Sequence, residues 1–247
     1  MLLSKTAISP YSLKKRDGSF SLASALHEWN YQNATDVGTT ITAIDTGSIG
    51  GLDMTNPDAA SEPTLNSNGW SFDGVNDALK NSVTDFRSGD STGVVHILFD
   101  YTSDGNNKFL FTLGNTSTDV DFFIFGVNGT GDLPQVTLLS GTSTSVIISA
   151  DSISDGWNVL SFVGTGSDFE IYINGVISSS YSVDTIGNRW MNYRSGNGSG
   201  YNNIDMASIQ RLTPIYYLVN NKYVAYCPYV NGTKVISEAN QILNSGL

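Results

Sequence analysis

The chain has 247 residues, with 12 Lys and Arg against 23 Asp and Glu and a sequence pI near 4.3. This acidic balance excludes the basic stripe with which nucleic-acid-binding proteins replace the counterions around phosphates, so no nucleic-acid partner is expected. A single cysteine, Cys227, excludes an internal disulfide and a metal site built from several cysteines, and it is expected to be a small buried thiol.

The first predicted element is a basic N-terminal arm, assigned to residues 1–26. Residues 1–16 contain four basic and no acidic residues, which leaves 12 − 4 = 8 basic against 23 acidic residues in the remainder. The arm has two alternative interpretations, a docking arm on an acidic neighbour and a solvated terminus. Its basic residues are Lys5, Lys14, Lys15 and Arg16. The first residues lack the apolar core of a signal peptide, and no stretch reaches the roughly 18 apolar residues of a membrane helix.

Beyond the arm, bursts of Val, Ile, Thr, Phe and Tyr alternate with turn-forming residues, which predicts many short antiparallel strands. Residues 29–68 show no such pattern and are expected to form a long surface loop. In residues 94–102 the apolar side chains alternate and leave His96 on the opposite, polar face. The pair Asn174-Gly175 predicts a type I′ hairpin turn. The predicted strand segments are 94–102, 107–114, 120–127, 135–140, 145–150, 156–164, 168–182, 204–212 and 216–230. Residues 233–247 carry helical apolar spacing and predict a short C-terminal helix.

Two stretches resemble a known family. Residues 69–79, GWSFDGVNDAL, resemble the FDG-V-(N/D)-D signature of laminin-G-like, concanavalin A-like jelly-roll domains found in phage and bacterial surface proteins. Residues 155–177 resemble the back-sheet hairpin of that family, with a Trp at the strand start and Tyr-x-Asn-Gly at the end. The resemblance covers about residues 27–247. It implies an all-β, antiparallel two-sheet jelly-roll sandwich with a short C-terminal helix.

The carboxylates and histidines do not match a catalytic pattern. A retaining glycosidase needs two carboxylates about 5 Å apart, yet none of the four glutamates pairs with another in the sequence. Asp168 and Glu170 share one strand face, but they are expected to be ordinary polar side chains that face the solvent. The chain has two histidines and no serine in a nucleophile-elbow motif. We therefore expect no enzyme, with a glycoside hydrolase as the less favoured alternative.

The best binding candidate is the loop DTIGNRWMNYRSGNGSGYNN at residues 184–203. Aromatic and arginine side chains of this kind anchor protein interfaces. They also form binding platforms for glycans, and Trp190 could instead belong to the core. The sequence leaves these three alternatives open. The candidate residues are Arg189, Trp190, Tyr193, Arg194 and Tyr201.

The family resemblance also implies one calcium ion at the sandwich rim, although turn formation is the other role of the available aspartates. Calcium prefers six to eight oxygen ligands. The candidate ligands are Asp73, Asp77, Asp100, Asp104, Asp119 and Asp121. No other cofactor is expected.

Lectin-like sandwiches usually act outside cells, whereas no export signal is predicted; a phage particle released by lysis would reconcile the two. The expected function is therefore a non-enzymatic virion structural or adhesion protein, such as a capsid decoration, head fibre or tail component. Its expected partners are other virion proteins and further copies of itself, with a host surface glycan as a candidate ligand. The alternative is a carbohydrate-binding module.

Overall fold

The structure is a computed structural model that describes residues 20–82, 92–114, 121–140, 143–166, 168–182, 203–209 and 215–247. These residues form short strands, two single-turn 3-10 helices (Tyr31–Asn33 and Ala59–Ser61) and the helix α1 (Gly232–Leu243). The strands in chain order are β1 (His27–Asn30), β2 (Thr35–Val37), β3 (Thr40–Ala43), β4 (Met54–Thr55), β5 (Thr64–Asn66), β6 (Gly69–Asp73), β7 (Leu79–Ser82), β8 (Thr92–Tyr101), β9 (Lys108–Gly114), β10 (Asp121–Asn128), β11 (Leu133–Ser140), β12 (Ser143–Ile148), β13 (Gly156–Thr165), β14 (Asp168–Ile173), β15 (Val176–Ser182), β16 (Asn203–Met206), β17 (Ser208–Ile209), β18 (Ile215–Tyr216) and β19 (Leu218–Cys227).

The strands form two large antiparallel sheets. The first sheet has the order β15-β14-β13-β8-β19-β6-β5, and β1 pairs with the second half of β19 beside β6. The second sheet has the order β12-β11-β10-β9-β16-β7-β4-β3-β2, and β17 pairs with β18 separately. The predicted all-β, two-sheet antiparallel sandwich with one short C-terminal helix is confirmed.

The main core lies between the two sheets and is rich in aromatic side chains. It combines Trp70 and Phe99 of the first sheet with Phe111 and Phe125 of the second, all fully buried. Phe125 contacts Phe162 with ring centroids 5.1 Å apart, which joins the sheets directly. Burial of such large apolar surfaces is the dominant stabilising contribution in a sandwich of this kind.

The motif GWSFDGVNDAL carries the chain from one sheet to the other. Its first part is β6 in the first sheet, and the motif ends in β7 of the second sheet. At the corner, Asp73 accepts hydrogen bonds at Oδ1 from the backbone N–H groups of Val75 (2.8 Å) and Asn76 (3.2 Å). Gly74 has φ of 75°, in the left-handed region where a side chain is unfavourable. The Asp-Gly pair is therefore the bend between the two layers.

The hairpin predicted at Asn174-Gly175 is also confirmed. Asn174 and Gly175 have φ of 51° and 78°, as a type I′ turn requires, and they join β14 to β15. The Asn174 side chain accepts from the Val159 N–H at 2.8 Å, which ties the turn to β13.

Residues 29–68, expected to be a long surface loop, instead contain the end of β1 and the strands β2 to β5, so that expectation is wrong. Three of these strands extend the edge of the second sheet and β5 forms the edge of the first. Strands of two to four residues are too short to show the alternation of apolar and polar residues by which strands are recognised.

Candidate functional site

One half of the outer face of the first sheet is covered by α1 and by the segment at residues 20–26. The covering side chains include Leu22, Val235 and Ile242, and they pack on outward-facing side chains of β8, β13 and β19. Because both faces of these strands are buried here, β8 is apolar almost throughout. Among the described residues the other half of this face is more exposed: Trp157 is exposed and Asp100 and Asn220 are half-buried, and this half holds the candidate site.

A buried polar cluster, here called the helix anchor, holds α1 on the sheet. His96 Nε2 lies 3.2 Å from Glu238 Oε2, and His96 Nδ1 lies 2.8 Å from Ser161 Oγ. Ser24 donates to Glu238 Oε1, and Lys234 Nζ lies 3.3 Å from the same oxygen. Burial acts to raise the pKa of Glu238, but the hydrogen bonds from His96 and Ser24 outweigh it, so the pKa stays below its usual value.

The expectation that His96 lies on an ordinary polar strand face is wrong. His96 is fully buried because α1 covers that face. The expectation for Cys227 is confirmed: it is fully buried, and burial raises the pKa of its thiol. Within the described ranges, His96, Cys227 and Glu238 bring three potential metal ligands within 4.8 Å of one another. His96 and Glu238 are hydrogen-bonded to each other, so these two side chains already have partners within the protein.

Glu28 forms a second buried anchor, which holds the segment at residues 20–26. Its carboxylate accepts from the Leu22 N–H at 2.8 Å, from Ser21 Oγ at 2.5 Å and from the hydroxyl of Tyr223 on β19. Both anchors thus use a buried glutamate to fix the cover over the same half of the sheet.

On the open half, five side chains form a continuous row across five strands, here called the polar row. Trp157 of β13 is directly opposite Asp100 of β8, which is opposite Asn220 of β19. Asn220 is in turn opposite Ser71 of β6, and Ser71 is opposite Thr64 of β5. Directly opposite residues point to the same side of a sheet. Asp100 follows the outward-facing Leu98 by two positions, so the polar row lies on the outer face.

Two neighbouring depressions, one of which contains part of this row, form the candidate groove. One has a volume of about 230 Å³ and is lined in part by Ser71, Asp100 and Asn220. The other has a volume of about 350 Å³ and includes the Asp73-Gly74 corner. Both depressions share the lining residues Asp104, Lys108 and Leu218. The sequence motif that turns the chain between the sheets therefore also forms part of a groove.

Trp157 forms the aromatic end of the polar row. It keeps 37% of its surface exposed, and Lys222 Nζ lies 4.0 Å from its ring centroid. Lys222 also donates to the carbonyl of Leu247 at 2.9 Å, and burial lowers the pKa of its ammonium. A cation over an indole ring is attractive, so Lys222 holds this exposed aromatic ring in place.

The loop between β8 and β9 forms a rigid wall of the groove. Ser103 Oγ donates to the Asp132 carboxylate at 2.9 Å, and its backbone N–H donates to Asp155 Oδ1 at 2.8 Å. Asn107 Oδ1 accepts from the Gly129 N–H at 2.9 Å. These bonds connect the loop to two other turns, so the lining side chains are held by a shared network rather than by an isolated loop.

Acidic side chains dominate the charge of the groove. The Lys108 ammonium lies 2.6 Å from Asp104 Oδ2, and this hydrogen bond lowers the pKa of Asp104. Burial acts to raise the pKa of Asp73, but backbone N–H groups of its turn outweigh it and lower the pKa. Both carboxylates are therefore ionised at neutral pH.

Three of the candidate calcium ligands are engaged in bonds within the protein, and a calcium ion at the sandwich rim stays a prediction. Asp73 is bonded by the N–H groups of its own turn, Asp77 Oδ2 accepts from the Asp73 N–H at 2.9 Å, and Asp104 pairs with Lys108. Calcium instead requires six to eight converging oxygens. Two further candidates, Asp119 and the side chain of Asp121, lie outside the described residues.

The residues predicted to bind a glycan or partner lie outside the described part of the chain, as do the basic residues of the arm. Their roles therefore stay predictions. They are Arg189, Trp190, Tyr193, Arg194 and Tyr201 of the loop and Lys5, Lys14, Lys15 and Arg16 of the arm.

Asp168 and Glu170, considered as a carboxylate pair, are half-buried on the outer face, where Glu170 accepts from the Tyr172 hydroxyl at 2.6 Å. Over the described ranges no helix has the length and hydrophobicity of a transmembrane span.

No protein-family model and no curated protein matches the chain. Solved structures do match. The fold of this chain is similar to that of the lectin-like domains of sialidases. A Trypanosoma rangeli sialidase matches 91% of the chain with a TM-score of 0.62 and 10% identity. The Ruminococcus gnavus IT-sialidase CBM40 bound to α2,3 sialyllactose matches 60% with a TM-score of 0.50 and 12% identity. A leech intramolecular trans-sialidase matches 60% with a TM-score of 0.51 and 13% identity.

The chain spans 23% of the leech enzyme, 33% of the trypanosomal enzyme and 82% of the CBM40 domain. At these identities the likeness establishes the fold alone. The predicted concanavalin A-like type of sandwich is thereby confirmed, and its finer assignment to the phage and bacterial surface variety stays a prediction.

The polar row was missed by sequence reasoning. Its members come from five strands between Thr64 and Asn220, and only the pairing register brings them together. The available sequence signal was a tryptophan, Trp157, at the start of the strand segment that became β13.

Proposed function

We propose that this chain is a non-enzymatic carbohydrate-binding module whose ligand lies along the polar row. The observation that carries the proposal is the row itself: an exposed indole, a carboxylate, an amide and two hydroxyls on one open sheet face. An aromatic ring covers the apolar face of a sugar, and polar side chains bind its hydroxyls. The adjoining groove supplies the concave surface that small ligands prefer.

The structural comparisons support the same proposal. CBM40 is a carbohydrate-binding domain, and the matched structure contains sialyllactose. The present chain spans most of that domain but less than a third of the leech sialidase. A likeness to a binding module therefore supports binding more directly than it supports the activity of a complete sialidase.

The charge state of the groove favours binding over hydrolysis. A glycosidase needs a general acid whose pKa is raised so that it holds a proton at neutral pH. Asp73 and Asp104 both have pKa values below the usual carboxyl value. They are therefore suited to accept hydrogen bonds and unsuited to donate a proton.

Binding can be measured by affinity electrophoresis in gels containing soluble polysaccharides and then by calorimetry with oligosaccharides. Replacing Trp157 by Ala is expected to weaken binding by about tenfold, or about 1.4 kcal/mol. Trp157→Phe should retain most of the affinity because an aromatic ring remains. Val37→Ala serves as the control, since Val37 is an exposed apolar residue at the opposite sheet's edge strand.

Two results would count against the proposal. One is the absence of binding to every polysaccharide tested; the other is binding that Trp157→Ala leaves unchanged. Release of reducing sugar by the wild-type chain would show that the chain is an enzyme and not a binding module. The placement of such a module in a phage particle stays a prediction.

A further inference from the structure

We infer that the polar row selects an uncharged oligosaccharide and rejects glycans that end in an acidic sugar such as sialic acid. This inference rests on the proposed function and specifies the ligand class of the same site. It sets the chain apart from the matched CBM40 domain, whose structure contains sialyllactose.

The charge of the groove is the first reason. Its described lining contains the carboxylates Asp73, Asp100 and Asp104 and one ammonium, Lys108, for a formal net charge of −2. The whole chain has a formal net charge of −11. A ligand carboxylate would enter a field of its own sign, and like charges brought together in a partly desolvated site are repelled.

The second reason is that the nearby cations in the described ranges, Lys108 and Lys222, are already engaged. Lys108 Nζ lies 2.6 Å from Asp104, and the Lys108 side chain is only 7% exposed. Lys222, a cation beside the polar row, is also 7% exposed and is directed at the Trp157 ring and the Leu247 carbonyl. Neither is positioned to form the charge-assisted hydrogen bonds with which proteins bind carboxylates.

The hydrogen-bonding capacity of the row is the third reason. A carboxylate such as that of Asp100 accepts hydrogen bonds from donor hydroxyls, whereas the groups of Asn220, Ser71 and Thr64 both donate and accept. Asn220 Oδ1 has no hydrogen-bond partner among the described residues. The terminal torsion of Asn is soft, so the amide can turn this acceptor toward a ligand hydroxyl. A sugar with free hydroxyls satisfies all four residues without introducing charge.

The row also sets the direction and size of the ligand. Neighbouring strands are about 4.8 Å apart, so the four spacings from Trp157 to Thr64 span roughly 19 Å. The ligand is therefore a short oligosaccharide that runs perpendicular to the strands, with one ring against Trp157 and the others over Asp100, Asn220 and Ser71.

The test uses the full chain on a glycan array in which neutral galactosides, cello-, xylo- and manno-oligosaccharides are printed beside sialylated counterparts of the galactosides. Neutral glycans are expected to bind at least about tenfold more tightly than their sialylated counterparts, a difference of about 1.4 kcal/mol. Binding should change little between 50 and 500 mM NaCl, because an uncharged ligand forms no screened ion pair with the groove.

Two variants locate the effect. Trp157→Ala should weaken binding of the neutral glycans by about tenfold. The double variant Asp100→Asn with Asp104→Asn should reduce the difference in affinity between neutral and sialylated glycans. The control Asp36→Asn, which removes an exposed charge on β2, should leave this difference unchanged.

The outcomes separate the two proposals. Tight binding of sialyllactose that survives Trp157→Ala but is lost in Arg189→Ala or Arg194→Ala would overturn the selectivity and move the site to the 184–203 loop, while carbohydrate binding itself would stand. Steep weakening of binding by salt would overturn the selectivity in favour of a charged ligand. Absence of binding to every printed glycan would overturn the proposed function.

Discussion

Replacing Glu238 by Ala would test whether the helix anchor stabilises the sandwich. Glu238 is fully buried at its side chain and is the shared partner of His96 and Ser24. The substitution would leave the buried His96 and the half-buried Ser24 without this acceptor. Glu238→Ala is therefore expected to be among the most destabilising single changes on the outer face of the first sheet.

The expected magnitude follows from burial. Leaving a buried polar group without its hydrogen-bond partner costs about 1–3 kcal/mol, so the loss of the acceptor shared by His96 and Ser24 is expected to cost about 2–5 kcal/mol. The contact with Lys234, whose side chain is 41% exposed, adds at most about 0.5 kcal/mol. Because domains are stable by about 5–15 kcal/mol, the loss is a large fraction of the total free energy of unfolding.

Urea denaturation followed by tryptophan fluorescence measures this loss. With an m-value of about 2–3 kcal/mol per molar urea, the midpoint should fall by about 1–2 M. Asp36→Ala, which removes an exposed carboxylate on β2, is the control and should shift the stability by no more than about 0.5 kcal/mol.

A double-mutant cycle with His96 tests the coupling itself. If the two groups form one buried pair, His96→Leu combined with Glu238→Leu should cost far less than the sum of the single changes, because neither polar group of the pair is then left buried without the other. A cost below about 1 kcal/mol for Glu238→Ala, or strict additivity in the cycle, would refute the reasoning.

Three further predictions follow from the structure. Gly74→Ala should destabilise the fold by about 1–3 kcal/mol and weaken glycan binding, because the added Cβ would lie 2.8 Å from the backbone nitrogen of Leu218. Gly38→Ala is the control for backbone strain alone, because Gly38 has φ of 72° and open space around it. In urea denaturation it should cost only about 1 kcal/mol. The pKa values of Asp45 and Glu238 lie below their ordinary values of 3.8 and 4.5, so their stabilisation is present above those values and is lost as the pH falls below them. Thermal unfolding should therefore show a constant midpoint from pH 7 to about 5 and a decline below, less steep in Glu238→Gln; an unchanged profile in that variant would contradict the assignment. Cys227 should react with a thiol reagent only at the rate of unfolding, and rapid modification of the native chain would show that the thiol is accessible.

Local sequence signals predicted most of the fold because they act over short distances. Asn174-Gly175 requires positive φ angles, Asp73-Gly74 provides a capped bend, and the spacing from Val235 to Ile242 places the apolar side chains of α1 on one face. Each of these features depends on residues within a few positions of one another. The short strands of residues 29–68 escaped prediction since two to four residues do not reveal a period.

The candidate site could not be predicted in the same way. The sequence by itself determined the longer strands, the bends and the acidic charge. Whether a strand face is covered or open depends on where α1 and residues 20–26 pack, and this decided that His96 is buried while Asp100, four residues later on the same strand, lines a groove. The polar row likewise depends on the register of five strands distant in the chain. Register and coverage arise from long-range packing, which no local pattern of residues encodes.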